Sequence, residues 1–163
     1  MKERLDAAAA SPDAYKAMFP LEKHVRSCGL ESSLIELVKM RVSQLNGCGF
    51  CLDMHSKDAL AAGETAQRLF LLPAWRESPQ FSPRERAALA WAESLTLISE
   101  TGAPDADYEL ARSQFSEKEL VDLTLAIVAI NGWNRIAIGF RKTPGSYQPA
   151  AAAGTAAAKH AGR

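Results

Sequence analysis

The sequence predicts an all-α fold, and three observations support this prediction. Apolar residues recur at helical spacing in nearly every segment, and no stretch has the β-branched alternation and hairpin turns that are typical of a sheet. Serine, proline and glycine stand where such helices would begin and end. With 163 residues, 47% of them apolar, the chain is also long enough to bury a core without disulfides.

The N-terminal half of the chain is predicted to form four helices separated by glycine or proline: 12–28, 33–46, 48–62 and 64–72. Pro20 lies inside the first of these helices and should break or kink it. Ser33 and Glu36 match a capping box at the start of the second helix.

The C-terminal half is predicted to form three helices, which begin near residues 83, 104 and 117. Ser82 and Ser116 each begin a predicted capping box. Between residues 120 and 130 of the last helix, Asp122 and Thr124 are the only polar residues. A helix that is apolar around most of its circumference belongs at the centre of a bundle or in a subunit interface, so we expect an oligomer.

Two segments of the sequence resemble each other. Residues 33–47 and 116–132 both begin with Ser-x-x-Glu-Leu-Val and end at Asn-Gly. Either the fold contains a duplicated helical unit, or two capping boxes precede apolar helices by coincidence. We expect residues 1–142 to form one helical domain and residues 143–163, which are dominated by Ala, Gly and Pro, to form a flexible tail.

The charge and the cysteine content limit the class of function. The 19 Lys and Arg residues balance 19 Asp and Glu residues, and no basic run is present, so we expect neither nucleic acid nor membrane partners. The charged N-terminus and the absence of about 18 unbroken apolar residues predict a cytoplasmic protein. Three cysteines are too few for a disulfide framework and favour thiol chemistry.

The candidate site is the pair Cys48 and Cys51 with His55 one turn later. On a helix these three residues lie within an arc of roughly 60°, so both sulfurs and the imidazole share one face. Gly47 should end the preceding helix and leave the cysteines in the first turn of the next one, where backbone N–H groups favour a thiolate. A thiolate attacks peroxides and disulfides, and the imidazole can accept or return a proton.

Two other interpretations of the cysteine pair remain open. The thiols could be small apolar core residues. They could also form half of a zinc site, although the only other candidate ligands are Cys28, His24 and His160, too few at suitable spacing for a structural site.

These residues also carry a family resemblance. The run ELVKMRVSQLNGCGFCLDMHSKDALAAGET, together with ERAALAWAESLTLISETG and ELVDLTLAIVAINGWNRIAIGFR, closely resembles the AhpD-like alkylhydroperoxidases of the carboxymuconolactone decarboxylase superfamily. The likeness covers roughly residues 13–142. It implies an all-helical, AhpD-like bundle that assembles as a homotrimer or homohexamer, without a cofactor or a metal.

The resemblance also implies a mechanism and partners. Cys51 would attack an organic hydroperoxide and become a sulfenic acid, Cys48 would resolve it to a disulfide, and His55 and Glu36 would form a proton relay. A dithiol, a lipoyl-type donor or a peroxiredoxin would complete the electron transfer in antioxidant defence. Glu36 has a second interpretation as a helix-capping residue.

The sequence departs from the family at Phe50, which stands where the best-described members have a relay histidine, so we expect a less efficient peroxidase. The segment 131–135 resembles a family signature, but we interpret its Asn and Trp residues as packing and capping groups. Two other functional classes remain: a redox-sensing helical oligomer without turnover, and a lyase that uses the same cavity without thiol chemistry.

Overall fold

The computed structural model describes residues 2–149, and all regular secondary structure in that range is helical. This confirms the predicted fold class. The ten helices of the described part are α1 (Ala7–Ala10), α2 (Pro12–Lys16), α3 (Phe19–Ser27), α4 (Ser32–Asn46), α5 (Gly49–Ala61), α6 (Ala66–Leu71), α7 (Pro83–Thr96), α8 (Ile98–Thr101), α9 (Asp105–Arg112) and α10 (Glu117–Phe140), with a 3-10 turn at Leu72–Ala74.

The starts of three helices test the capping predictions. Both boxes in the C-terminal half are confirmed: Ser82 caps α7 and Ser116 caps α10, each with the reciprocal glutamate contact. The box predicted at Ser33 is wrong. Helix α4 begins one residue earlier, its N-cap is Glu31, and no side chain caps it. The Glu36 carboxylate is therefore available for another partner.

The break in the first predicted helix lies before Pro20 and not at it. Helix α2 ends at Lys16, and Pro20 occupies the first turn of α3. Proline is tolerated there because the N–H that it lacks would have no partner within the helix.

Helices α4 and α10 form the centre of the molecule. Helix α10 packs against α3, α4, α5 and α7, and α4 also packs against α5 and α7. One face of α4 contributes Val38 to the main core, which includes both Cys48 and Cys51. Another face contributes Leu37 to a second core around Leu72. The α4–α5 junction is thus held between two packed layers, which fixes the position of the cysteines.

By length and composition alone, α10 could also cross a membrane, a test that the core helix of a soluble protein passes equally. Nine of its 24 residues are buried against the rest of the chain. Val121 and Val128, seven residues apart and on the same side of the helix, remain exposed.

The described part of the C-terminal segment lies against α5. The Gly145 N–H donates to Asp53 Oδ2 (3.0 Å), and Lys57 Nζ donates to the Tyr147 carbonyl oxygen (3.0 Å). The Tyr147 hydroxyl donates to Asp58 Oδ1 (2.7 Å). We call residues 144–147 the strap. Residues 150–163, which make up most of the predicted flexible tail, lie outside the described residues.

Candidate active site

The site begins at the tight turn between α4 and α5. Gly47 ends α4 in the left-handed conformation (φ 68°), which a residue with a Cβ adopts only at a cost. The chain can then reverse at once, so that Cys48 becomes the N-cap of α5 and its sulfur accepts a hydrogen bond from the Cys51 N–H (3.4 Å). Both cysteines are free thiols and only 1% exposed.

The pKa values of the two cysteines are shifted in opposite directions. A hydrogen bond from the Cys51 thiol lowers the pKa of Cys48 to about 7, against the opposing effect of burial, and the backbone N–H groups of Cys51 and Phe50 also lower it. The pKa of Cys51 is raised, because its proton is held by the Cys48 sulfur and because it is buried. The pair therefore releases one proton near neutrality and retains the second.

Glu36 and His55 form the second half of the site. His55 is only 5% exposed, and its Nδ1–H donates to Glu36 Oε2 (2.8 Å) across the α4–α5 pair. In the neutral tautomer this contact leaves the lone pair on Nε2, where it can take a proton. In the structure the Glu36 carboxylate therefore bonds to His55 and does not cap a helix start.

A large cavity gives access to the site. Its volume is about 960 Å³, which is sufficient for a ligand of moderate size, and Cys51 and His55 line it, whereas Cys48 does not. Most of the wall is apolar, and it includes six aromatic side chains: Tyr15, Phe19, Phe50, Trp133, Phe140 and Tyr147. Of the two cysteines, Cys51 is therefore the one next to a molecule that enters this cavity.

Phe50 is part of this wall. Lys142 Nζ lies 4.5 Å from the centre of the Phe50 ring, within the range of a cation–π contact, and lines the cavity as well. The position that would carry a relay histidine is thus apolar, with a positive charge beside it.

Several residues near the site were not predicted from the sequence. Asp58 lies one turn beyond His55 on α5, and one ligand atom from each of Glu36, His55 and Asp58 lies within 4.8 Å of the other two. The spacing of His55 and Asp58 on one helix face was a signal that could have revealed this. Tyr147 joins the group through Asp58, and burial together with that carboxylate raises the pKa of Tyr147 to about 12.

One nitrogen and two carboxylate oxygens are a donor set that could hold a metal ion with an open coordination position. In this structure these three side chains already make hydrogen bonds within the protein. Glu36 accepts from His55, and Asp58 accepts from the Tyr147 hydroxyl.

Cys28 lies away from the pair. Its side chain packs against the main core, and its S–H donates to the Val25 carbonyl oxygen (3.2 Å). This is the environment of a small apolar residue that packs against the core.

Comparison with known proteins identifies relatives over most of the chain. YdfG of Bacillus subtilis, an uncharacterised protein, is 44% identical over 138 residues, which are 85% of this chain and 94% of YdfG. The alkyl hydroperoxide reductase AhpD of Bradyrhizobium diazoefficiens is 36% identical over 62 residues, which are 37% of this chain and 34% of AhpD.

Solved structures show the same architecture. A protein of unknown function from Agrobacterium tumefaciens, named for antioxidant defence and AhpD, has a TM-score of 0.86 and 49% identity over 90% of this chain and 100% of its own. An alkylhydroperoxidase AhpD core protein from Ralstonia eutropha has a TM-score of 0.74 at 21% identity over 85% of this chain and 74% of its own, which shows the fold alone. Residues 12–94 match the carboxymuconolactone decarboxylase family. The chain belongs to this family and to its AhpD-like branch.

Proposed function

We propose that this protein is a thiol-dependent peroxidase that reduces organic hydroperoxides in antioxidant defence. The observation that carries the proposal is a buried pair of thiols in which the pKa of Cys48 is lowered to about 7, while Cys51 and His55 line a mostly apolar cavity. The names of the Bradyrhizobium and Agrobacterium relatives support it.

Cys51 is the sulfur that attacks in this proposal, because it lines the cavity. The negative charge forms more readily on Cys48, so a proton must first move along the S–H···S bond from Cys51 to Cys48. The Cys51 thiolate then attacks the terminal oxygen of the hydroperoxide. An S–O bond forms, the O–O bond breaks, and the alkoxide leaves as an alcohol after it takes a proton from His55.

The second step forms the disulfide. Cys48 loses its proton to His55 and attacks the Cys51 sulfenic acid, the S–O bond breaks, and hydroxide leaves as water with a proton from His55. The sulfurs are oxidised by two electrons, and the hydroperoxide is reduced to alcohol and water. One further proton must come from solvent, because the pair begins with only one proton. Glu36 keeps the His55 ring in position throughout.

A reductant must return two electrons and two protons to the disulfide. We propose a dithiol or lipoyl-type donor, or transfer to a peroxiredoxin. The chain balances 19 basic with 19 acidic residues, which supports a protein without nucleic acid or membrane partners, and we propose a cytoplasmic location. The exposed Val121 and Val128 on α10 support a homotrimer or homohexamer in which this face is covered.

The cysteine roles can be tested with one equivalent of cumene hydroperoxide added to the reduced protein. We expect the tryptic peptide 42–57, which contains both cysteines, to lose the mass of two hydrogens. Cys51→Ser should abolish hydroperoxide consumption, and Cys48→Ser should stop at a sulfenic or overoxidised Cys51 after one turnover.

Cys28→Ser is the matched control and should keep wild-type turnover, because Cys28 packs away from the pair. Thiols left unchanged by the peroxide would refute the proposal. Full activity of a double Cys48→Ser, Cys51→Ser variant toward another substrate would instead favour a lyase.

A further inference from the structure

Three hydrogen-bonded side-chain amides, of which Asn134 is fully buried and the other two are half-buried, join the end of α4 to α10. They belong to Asn131, Asn46 and Asn134, and we call them the amide chain. Asn46 comes from the end of α4, and the other two residues come from α10. Asn46 Nδ2 donates to Asn131 Oδ1 (3.0 Å) and to Asn134 Oδ1 (2.9 Å). A single side chain thus links the other two.

The orientation of Asn131 is fixed by partners that can play only one role. Arg135 Nη1, which can only donate, donates to Asn131 Oδ1 (2.9 Å). The Ile127 carbonyl oxygen, which can only accept, accepts from Asn131 Nδ2 (3.0 Å). Because the oxygen of Asn131 must face Asn46, Asn46 must present its NH2 group to it.

The orientation of Asn46 in turn fixes the orientation of the Asn134 amide. The second N–H of Asn46 donates to Asn134 Oδ1, so the NH2 group of Asn134 points away from Asn46. Its nitrogen donates to Ser43 Oγ (3.1 Å), and the Ser43 carbonyl oxygen accepts from the Cys48 N–H (2.9 Å), which places the amide beside the cysteine pair. The Asn134 amide also lowers the pKa of both Cys48 and Cys51. Asn134 is 0% exposed, so water does not compete for these contacts.

We propose that Asn134 is a catalytic residue whose side-chain N–H stabilises the thiolate of the Cys48–Cys51 pair. A donor fixed in a buried site strengthens when charge forms on its acceptor, and it needs no reorganisation at that moment. The proposal rests on the proposed function for the identity of the reacting sulfurs. It adds a thiolate-binding group that the His55–Glu36 relay does not provide.

The test is the pH titration of the reduced thiols, followed by thiolate absorbance at 240 nm and by the rate of alkylation with iodoacetamide. Asn134→Leu keeps a side chain branched at Cγ but has no N–H. We expect its first titration midpoint to rise by about one pH unit, which lowers the thiolate fraction at pH 7 about fivefold.

Ser43→Ala is the matched control, because it removes the other partner of the same amide and leaves its N–H toward the sulfurs. Its midpoint should stay at the wild-type value. An unchanged midpoint in folded Asn134→Leu, or an equal shift in Ser43→Ala, would overturn the proposal.

Asn134→Leu leaves one N–H of Asn46 without an acceptor, so its folding is checked by circular dichroism. If it does not fold, the side-chain amide signals of Asn134 in 15N-labelled wild-type protein provide the test. They should shift through the same midpoint as the sulfurs, and signals that stay fixed would overturn the proposal. Both titrations are done without peroxide. A wild-type protein that titrates as expected but consumes no hydroperoxide would refute the peroxidase and leave the role of Asn134 intact.

Discussion

At the scale of single residues, the orientation of His55 is set by its neighbour. The Glu36 carboxylate holds Nδ1–H, so Nε2 is the nitrogen left to exchange protons with the cavity. A positioned base of this kind typically accelerates proton transfer 10²–10⁴-fold. Chemistry at the Cys51 sulfur needs two proton transfers to leaving oxygens, and both fall to the same imidazole.

This assignment predicts that His55→Gln lowers kcat for cumene hydroperoxide about 100-fold while the fold is kept, since glutamine can still donate to Glu36 but cannot carry a proton. Glu36→Gln should have a smaller effect, because its amide oxygen still accepts from Nδ1–H. Steady-state turnover measures both. His24→Gln is the matched control, since His24 pairs with Asp122 and does not line the cavity. Equal losses in His24→Gln and His55→Gln would contradict a specific relay.

Residues close together in sequence were predictable, and distant ones were not. The spacing of Cys48, Cys51 and His55 was enough to place them on one helix face, and the structure brings both cysteines to the start of α5. Glu36 was assigned by resemblance, because its contact with His55 crosses two helices. Asn134 reaches the site from 83 or more residues away in sequence, and only tertiary packing reveals that contact.

At the scale of elements, local rules predicted helix starts where a side chain caps the backbone. Ser82 and Ser116 do so, but Ser33 does not, because it lies inside α4, and Glu36 bonds to His55. The strap could not be predicted. Its contacts with α5 join residues about 90 positions apart, and composition alone suggested a flexible tail.

The strap should depend on the Tyr147 hydroxyl. A hydrogen bond to a charged group contributes about 1.5–3 kcal/mol, so Tyr147→Phe should make the strap open at least tenfold more often. Hydrogen exchange of the Gly145 amide, which is bonded to Asp53, measures this opening. Tyr108→Phe is the control, because Tyr108 is exposed and lies outside the strap. Exchange as slow in Tyr147→Phe as in the wild type would show that the hydroxyl does not hold the strap.

At the scale of the whole molecule, the central place of α10 was predicted from its apolar circumference and is observed. The oligomer and the duplicated unit stay predictions. The titrating sulfurs belong to the main core, so their protonation is linked to folding as well as to reactivity. In this respect the site differs from a surface thiol, whose charge state hardly affects the stability of the fold.

This linkage predicts a maximum of stability near pH 9 under reducing conditions. The folded pair releases its first proton near pH 7, whereas unfolded cysteines titrate near 9.0. Between these values the folded state binds fewer protons, so the free energy of unfolding rises with pH. Above pH 9 both cysteines of the unfolded chain lose their protons, whereas in the folded state Cys51, whose pKa is raised, keeps its proton. The free energy of unfolding therefore falls again.

Between pH 7 and pH 9 the free energy of unfolding should rise by at most about 3 kcal/mol. Urea unfolding of the wild type and of the double Cys48→Ser, Cys51→Ser variant, from pH 6.5 to 10.5 with a phosphine reductant, measures it. The difference between the two proteins cancels the titration of all other groups. That difference should rise from pH 7 to 9 and fall beyond, whereas a flat difference would mean that the two sulfurs share no proton in the folded state.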